Sequence, residues 1–172
     1  NDTARQTVRL LVDGAGKKYY MSKADVRKSM SVRKATVRTL TAIVASEGHA
    51  NELYDFKVSP RTYIRGGGVS GGYKGNVRRD RKAGRLALRP GAVGDQYKAF
   101  VVRYRSGHMT VGQRVPGERM KSNPRKEAVK TLLSPSVPTM LGHEQGVYRE
   151  VEPRIQELLQ KSIQEQIRKF LG

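Results

Sequence analysis

The sequence predicts an α+β fold: a central, mainly antiparallel sheet with a hairpin, flanked by N-terminal and C-terminal helices, plus a long Gly/Arg-rich arm. Three observations predict it. Apolar residues recur at helical spacing near both ends, at Val8, Leu11, Val12 and Ala15 and again along residues 151–171. Between these ends, two runs with apolar residues, 99–105 and 109–115, flank Ser106-Gly107, a hairpin signature. Residues 61–94 sustain neither period, and their glycines and arginines read as an extended basic arm. At 172 residues the chain, 1–172, is read as a single domain carrying that arm at about 61–94.

Each element follows from local chemistry. Residues 3–20 read as a helix, with Arg5, Arg9 and Lys17 largely off its apolar stripe and Gly14 and Gly16 weakening its later part. Ser22 stands three before Asp25, a capping-box-like start for a short helix over 23–30. Residues 35–46 are rich in β-branched side chains and read as a strand closed by Glu47-Gly48. Residues 53–58 read as another short strand, ended by Ser59-Pro60. Within the arm only 85–89 resembles a strand, and Pro90-Gly91 breaks it. In the hairpin, Phe100, Val102 and Tyr104 alternate with Val101 and Arg103, as one packed and one polar face require. Residues 116–138 are turn-rich, holding Pro116-Gly117, Asn123-Pro124, Pro135 and Pro138, and a helix starts within 136–148, capped by Ser134 or Ser136. The last helix, 151–171, places Pro153 in its first turn, where a missing N–H costs nothing. Its stripe of Val151, Ile155, Leu158, Leu159, Ile163, Ile167, Phe170 and Leu171 is expected to pack upon the sheet.

Composition narrows the function. With no cysteine, disulfides, thiol catalysis and Cys-ligated zinc are excluded. The longest apolar runs are a few residues, against the roughly 20 a membrane span needs. No signal-peptide pattern is visible. Lys and Arg number 34 and Asp and Glu 15, a net charge of +19, with only 37% hydrophobic residues. Such a chain repels itself, so a polyanion or an acidic protein surface is the expected neighbour, and part of the chain is expected to order only with that partner. The densest stretch, 61–89, holds Arg61, Arg65, Lys74, Arg78, Arg79, Arg81, Lys82, Arg85 and Arg89 against Asp80 alone. Seven of the 18 glycines fall there as well. A solvated face is the plain account of a charge run. The glycines favour instead an arm laid along phosphate or along an acidic neighbouring subunit. Tyr63 and Tyr73, interleaved with these cations, suit either base stacking or a protein interface.

Enzyme chemistry finds little support. His49, His108 and His143 have no ligand spacing, and His108 reads as a solvated turn residue. Gly66-Gly67-Gly68-Val69-Ser70-Gly71 fits G-x-G-x-x-G in letters, but the following Gly72-Tyr73-Lys74-Gly75 will not hold the helix that phosphate binding needs. Glu150 and Glu152 suit a helix start better than a catalytic pair. No catalytic constellation, cofactor site or metal site is read.

The order of several short segments adds a further expectation. Ala99-Phe100, then Ser106-Gly107-His108, then Val111-Gly112-Gln113-Arg114-Val115, then Ser134-Pro135-Ser136-Val137-Pro138 resembles the minor tail protein Z family of long-tailed phages and prophages. In that family a Gly-Ala-Phe leads into a hairpin with a G-x-W/H tip, a V-x-x-R strand follows, and a P/S-V-P segment opens the last helices. Here Gly94 is separated from Ala99-Phe100, and Met109 stands where an aromatic residue or His is expected. The N-terminal helix, short basic helix and strand are similar too, so the likeness spans most of the chain, with gaps in the arm.

The resemblance implies a non-enzymatic structural virion protein at the head-proximal end of a phage tail. Such a protein completes the tail, supports head–tail joining and positions the genome end, after assembly in the host cytoplasm. Its implied partners are copies of itself in a ring, sixfold in long tails, together with tail terminator, tail-tube and head–tail connector proteins, and no membrane. Arg78, Arg79, Arg81, Lys82 and Arg85 would then meet packaged DNA through nonspecific phosphate contact, or acidic side chains on adjacent subunits. Composition by itself favours an alternative, a basic nucleic-acid-binding protein of ribosomal or nucleoid type.

Overall fold

The computed structural model describes residues 1–65, 69–70, 72–80, 84–85, 99–143 and 146–171. The fold is α+β, and every described strand pairing is antiparallel. The chain divides into two compact units, Asn1–His49 with Pro135–Gly172, and Ala50–Ser134.

The first unit is mostly helical. Helix α1 (Asp2–Lys18) buries Ala4, Val8, Leu11 and Ala15, three of them from the stripe its spacing predicts, whose fourth member, Val12, is half-buried. Helix α2 (Lys23–Lys28) begins at Ser22, whose hydroxyl accepts from the Asp25 N–H at 3.1 Å and donates to the Asp25 carboxylate at 2.6 Å. That second bond, with help from Lys28, holds the Asp25 carboxyl below its usual pKa. A carboxylate depressed in the fold adds stability above its ordinary pKa and loses it as pH falls through the folded value. Ser22→Ala is therefore expected to cost about 1 kcal/mol near neutral pH, and less in acid, where only the backbone cap remains to be lost. Urea titrations of both proteins at the two pH values measure the difference.

Two expectations shift here. Met30 leaves the short helix and starts strand β1 (Met30–Arg33), which pairs with β2 (Ile43–Ser46) from Met30↔Ser46 to Arg33↔Ile43. The strand expected over 35–46 shrinks to β2 because Thr36 and Thr39 bond each other's backbone N–H groups through their hydroxyls, at 3.1 and 3.2 Å, closing a local turn. Leu40 leaves that turn with φ +48, outside the extended region a strand needs.

Helix α3 (Val137–Gly142) is capped by Ser136, which accepts from the Thr139 N–H at 3.3 Å. Helix α4 (Val147–Leu171) starts earlier than its spacing suggests, so Pro153 lies inside it rather than in the first turn. The proline removes the bond to the Arg149 carbonyl, on an exposed residue that solvent can reach. Helices α1 and α4 touch at Gly14: a Cβ there would lie 2.5 Å from Val147 Cγ1 and 3.4 Å from Val151 Cγ1. Lys18 of α1 pairs with Glu150 beside this contact. The α4 stripe is covered only in part: Val147 is buried, Val151, Ile155 and Leu158 are half-buried, and the apolar residues from Leu159 onward are exposed.

The second unit is built from strands. Strand β3 (Asn51–Glu52) runs into a 3-10 turn (Leu53–Asp55), which replaces most of the strand expected over 53–58, and then β4 (Lys57–Ser59). A three-stranded sheet follows in the order β4, β5 (Lys74–Asn76), β6 (Gly84–Arg85). A second has the order β7 (Phe100–Arg103), β8 (Met109–Met120), β9 (Asn123–Thr131), and β10 (Leu133–Ser134) pairs with β3. The expected hairpin is present: Tyr104 N–H donates to the His108 carbonyl at 2.9 Å, and Gly107 supplies φ +86 at its tip. The stretch 116–138, read as turns, is in its first half a second hairpin, since β8 runs through Pro116-Gly117 and β9 starts at Asn123-Pro124. Pro116 and Pro124 are both exposed, the setting in which a strand tolerates proline.

Val58, Tyr73, Ala99, Val101 and Val111 form one buried cluster that draws on both three-stranded sheets and their approaches. Thr110, fully buried on β8, has a hydroxyl with no hydrogen-bond partner among the described residues. Thr110→Val keeps the shape and removes a desolvated polar group, so it is expected to raise stability by about 1 kcal/mol. A lower urea midpoint for the variant would refute that account.

Candidate nucleic-acid interface

Charge is divided unequally. Residues 50–134 hold 19 basic and 6 acidic side chains, a net +13, leaving +6 of the +19 to the helical unit. The β-rich unit is therefore where a polyanion would be met.

The nine basic residues singled out from sequence fall into three groups. Arg61 and Arg78 are engaged within their own unit. The Arg61 guanidinium lies 4.6 Å from the Tyr54 ring centroid and donates to the carbonyls of Tyr54 at 3.0 Å and Phe56 at 3.3 Å. The Tyr54 hydroxyl returns a bond to the Arg61 carbonyl at 2.9 Å. Arg78 is half-buried and grips Asp80 with two nitrogens, at 2.9 and 2.5 Å. Arg65, Lys74 and Arg79 are exposed. Lys74 and Arg85 are register partners between β5 and β6. Arg81, Lys82 and Arg89 lie outside the described residues, as does most of the G-x-G-x-x-G stretch.

The described parts of the arm fold onto the unit. Tyr73 is buried, its hydroxyl donates to the Thr62 carbonyl at 3.4 Å, and half-buried Val69 packs against the same cluster. Tyr73 is thus a core residue rather than a base-stacking platform, whereas Tyr63 is exposed. The cause is hydrophobic: with Val58 and Val101 nearby, burial of the ring outweighs the freedom its glycine neighbours allow.

A second cationic surface lies where turns were expected. Beyond Val115, the last buried residue of β8, the β8–β9 hairpin becomes exposed. Residues 116–127 hold Arg119, Lys121, Arg125 and Lys126 against Glu118 and Glu127, the latter the register partner of Arg119. No ion pair engages these four cations among the described residues. At the base of the ribbon, Arg114 donates to the Glu127 carbonyl at 3.0 Å and lies 5.6 Å from the Phe100 ring. The sequence signal was available in Arg119, Lys121, Arg125 and Lys126 around Ser122-Asn123, but the two prolines mask it.

The remaining polar clusters are small. His108 Nε2 lies 3.1 and 3.2 Å from the Glu52 carboxylate oxygens, and its ring stacks on Tyr104 at 5.8 Å, so this turn histidine has a fixed place. Glu150 pairs with Lys18, and Glu152 accepts from the Tyr148 hydroxyl at 3.2 Å. Among the described residues no group of three or more His, Asp or Glu side chains could hold a metal ion. No described helix is long and apolar enough to cross a membrane.

Fold and surface together define an α+β chain whose positive charge is concentrated on its β-rich unit. No protein-family model, no curated protein and no solved structure matches this chain.

Proposed function

We propose that this chain is a structural virion protein at the head-proximal end of a phage tail, where it completes the tail, supports head–tail joining and lies against the genome end. The reading rests on the segment order described above, and the observation that supports it best is the net +13 of the β-rich unit. The resembling segments occupy coherent positions: Ala99 to Val115 span the β7–β8 hairpin, and Ser136 caps the helix that precedes α4. Copies arranged in a ring would present their ribbons to DNA as net positive charge with no base-reading geometry, which suits DNA that must later slide out.

Two measurements test this. Duplex DNA is expected to bind the full chain without sequence preference, with affinity falling steeply as salt rises. Replacing Arg119, Lys121, Arg125 and Lys126 with Gln is expected to flatten the plot of log K against log salt by about 3 to 4, since each phosphate contact contributes roughly 0.9. An unchanged slope would remove the ribbon from the interface and leave acidic neighbouring subunits as its target. Labelling of purified particles is expected to place the chain where tail meets head, and particles lacking it are expected to appear as filled heads apart from tails. Recovery of the chain with ribosomes or nucleoid, and its absence from particles, would favour the alternative nucleic-acid-binding role.

A further inference from the structure

A cleft of about 280 Å³ opens between α1 and α2, lined by Arg5, Val8, Arg9, Val12, Asp13 and Arg27. Five of the six come from α1 at positions i, i+3, i+4, i+7 and i+8, which share one face of a helix. Arg27 joins them from α2, which packs against α1 and buries Val26. Val8 is buried and Val12 half-buried, so the cleft has an apolar floor beneath a charged rim.

Most of the charges around this rim are already matched. Asp13 takes Lys23 at 2.5 Å, and Arg5 takes Asp2 at 3.2 Å. Asp25, the remaining acid of residues 1–28, is held by Ser22 and Lys28. The guanidinium groups of Arg9 and Arg27 have no ion pair or hydrogen bond among the described residues. Both residues are exposed, and both face the same cleft.

Two open guanidiniums above recessed valines select an anion with an apolar neighbour. Guanidinium is planar, presents paired N–H donors that match a carboxylate, and is more weakly hydrated than an ammonium. Volume sets the scale of what enters. Small-molecule sites run from about 300 to 1,000 Å³, so this cleft suits one side chain of a larger partner and its flanks. DNA offers phosphates along a convex rod, with no apolar group on that backbone to meet Val12. A lipid surface takes up apolar side chains that point outward, whereas these valines lie recessed. A protein segment with carboxylates on either side of an apolar residue supplies both halves of the match.

We propose that the cleft between α1 and α2 binds an acidic segment of another protein, an apolar side chain resting on Val12 and its neighbouring carboxylates held by Arg9 and Arg27. The site does not depend on the tail reading, because it is drawn from the helical unit alone.

A fluorescein-labelled peptide, Glu-Asp-Leu-Asp-Glu, is the probe, followed by anisotropy with the full chain at about 150 mM salt, where distant charges are screened. Saturable binding is expected. Arg9→Gln with Arg27→Gln is expected to weaken it at least about tenfold, since charge-assisted hydrogen bonds are the strong ones. Circular dichroism is expected to show that this variant keeps its helix content. Arg119→Gln with Lys121→Gln removes the same charge from the β8–β9 ribbon and is expected to change the affinity less than about twofold. Serine in place of the peptide's leucine is expected to weaken binding about tenfold, because a buried apolar side chain is lost. Absence of saturable binding, equal losses from the two charge pairs, or equal affinity for the leucine and serine peptides overturns the proposal. Duplex DNA affinity that falls as far as the peptide's in the Arg9→Gln, Arg27→Gln chain overturns it in favour of phosphate. Duplex binding that persists in that chain while the peptide is lost supports the cleft and leaves the test of the proposed function untouched.

Discussion

Gly14→Leu is expected to destabilise the helical unit by about 3 kcal/mol or more, because it drives a large side chain into the contact between α1 and α4. Even a single Cβ at Gly14 would come 2.5 Å from Val147 Cγ1, nearer than real carbon contacts allow, and Val147 is fully buried with nowhere to retreat. Gly14→Ala decides between two opposed effects. Alanine in a helix interior is favoured over glycine by about 1 kcal/mol. Overpacking typically costs 1–3 kcal/mol, and Val147, branched at Cβ, has few rotamers to escape into. A net loss is therefore expected for Gly14→Ala, followed by recovery when Val147→Ala is added, since the methyl group that clashes is then gone. Urea unfolding of the single and double variants measures the coupling. A Gly14→Ala chain more stable than the wild type would show that the helices part at no cost.

That glycine marks a boundary of what the residues alone disclose. From spacing, Gly14 is a helix weakener; only the partner helix reveals it as the point of closest approach. The helices themselves were legible, because Val8, Leu11 and Ala15 repeat at helical intervals and Ser22 and Ser136 sit at caps. So was the β7–β8 hairpin, fixed by Ser106-Gly107 between alternating runs. The β8–β9 ribbon was not, since Pro116 and Pro124 read as breakers and only the exposure of that strand pair explains how a sheet accommodates them. Along residues 35–42 the β-branched composition pointed to a strand, yet Thr36 and Thr39 close on one another locally. The candidate interface was legible as charge but not as geometry. Nothing in the spacing distinguishes Arg61, held against Tyr54, and Arg78, held by Asp80, from exposed Arg65 and Lys74. Engagement of a cation depends on a partner brought close by folding.

Phe56→Ala is expected to cost the β-rich unit about 3–5 kcal/mol, the range for emptying a buried aromatic site. Phe56 is 1% exposed and sits between the 3-10 turn and β4. Its backbone ties both ends of that step: the N–H donates to the Leu53 carbonyl at 3.2 Å, and the carbonyl accepts from Arg61 at 3.3 Å. Loss of the ring therefore leaves a cavity and also loosens the anchor that holds Arg61 over Tyr54. Hydrogen exchange is expected to quicken first at the β4 and β5 amides, Lys57–Ser59 and Lys74–Asn76, because β4 follows Phe56 directly and β5 pairs with it. Tyr63→Ala, which removes an exposed ring from the same basic stretch, is expected to stay within about 0.5 kcal/mol of the wild type. The two aromatics thus separate scaffold from surface: Phe56 sets whether the sheet beneath Lys74 exists, and Tyr63 only what that surface touches. Equal losses for both would mean that Tyr63 is buried in the folded protein and that the basic stretch is more deeply enclosed than its exposed residues indicate.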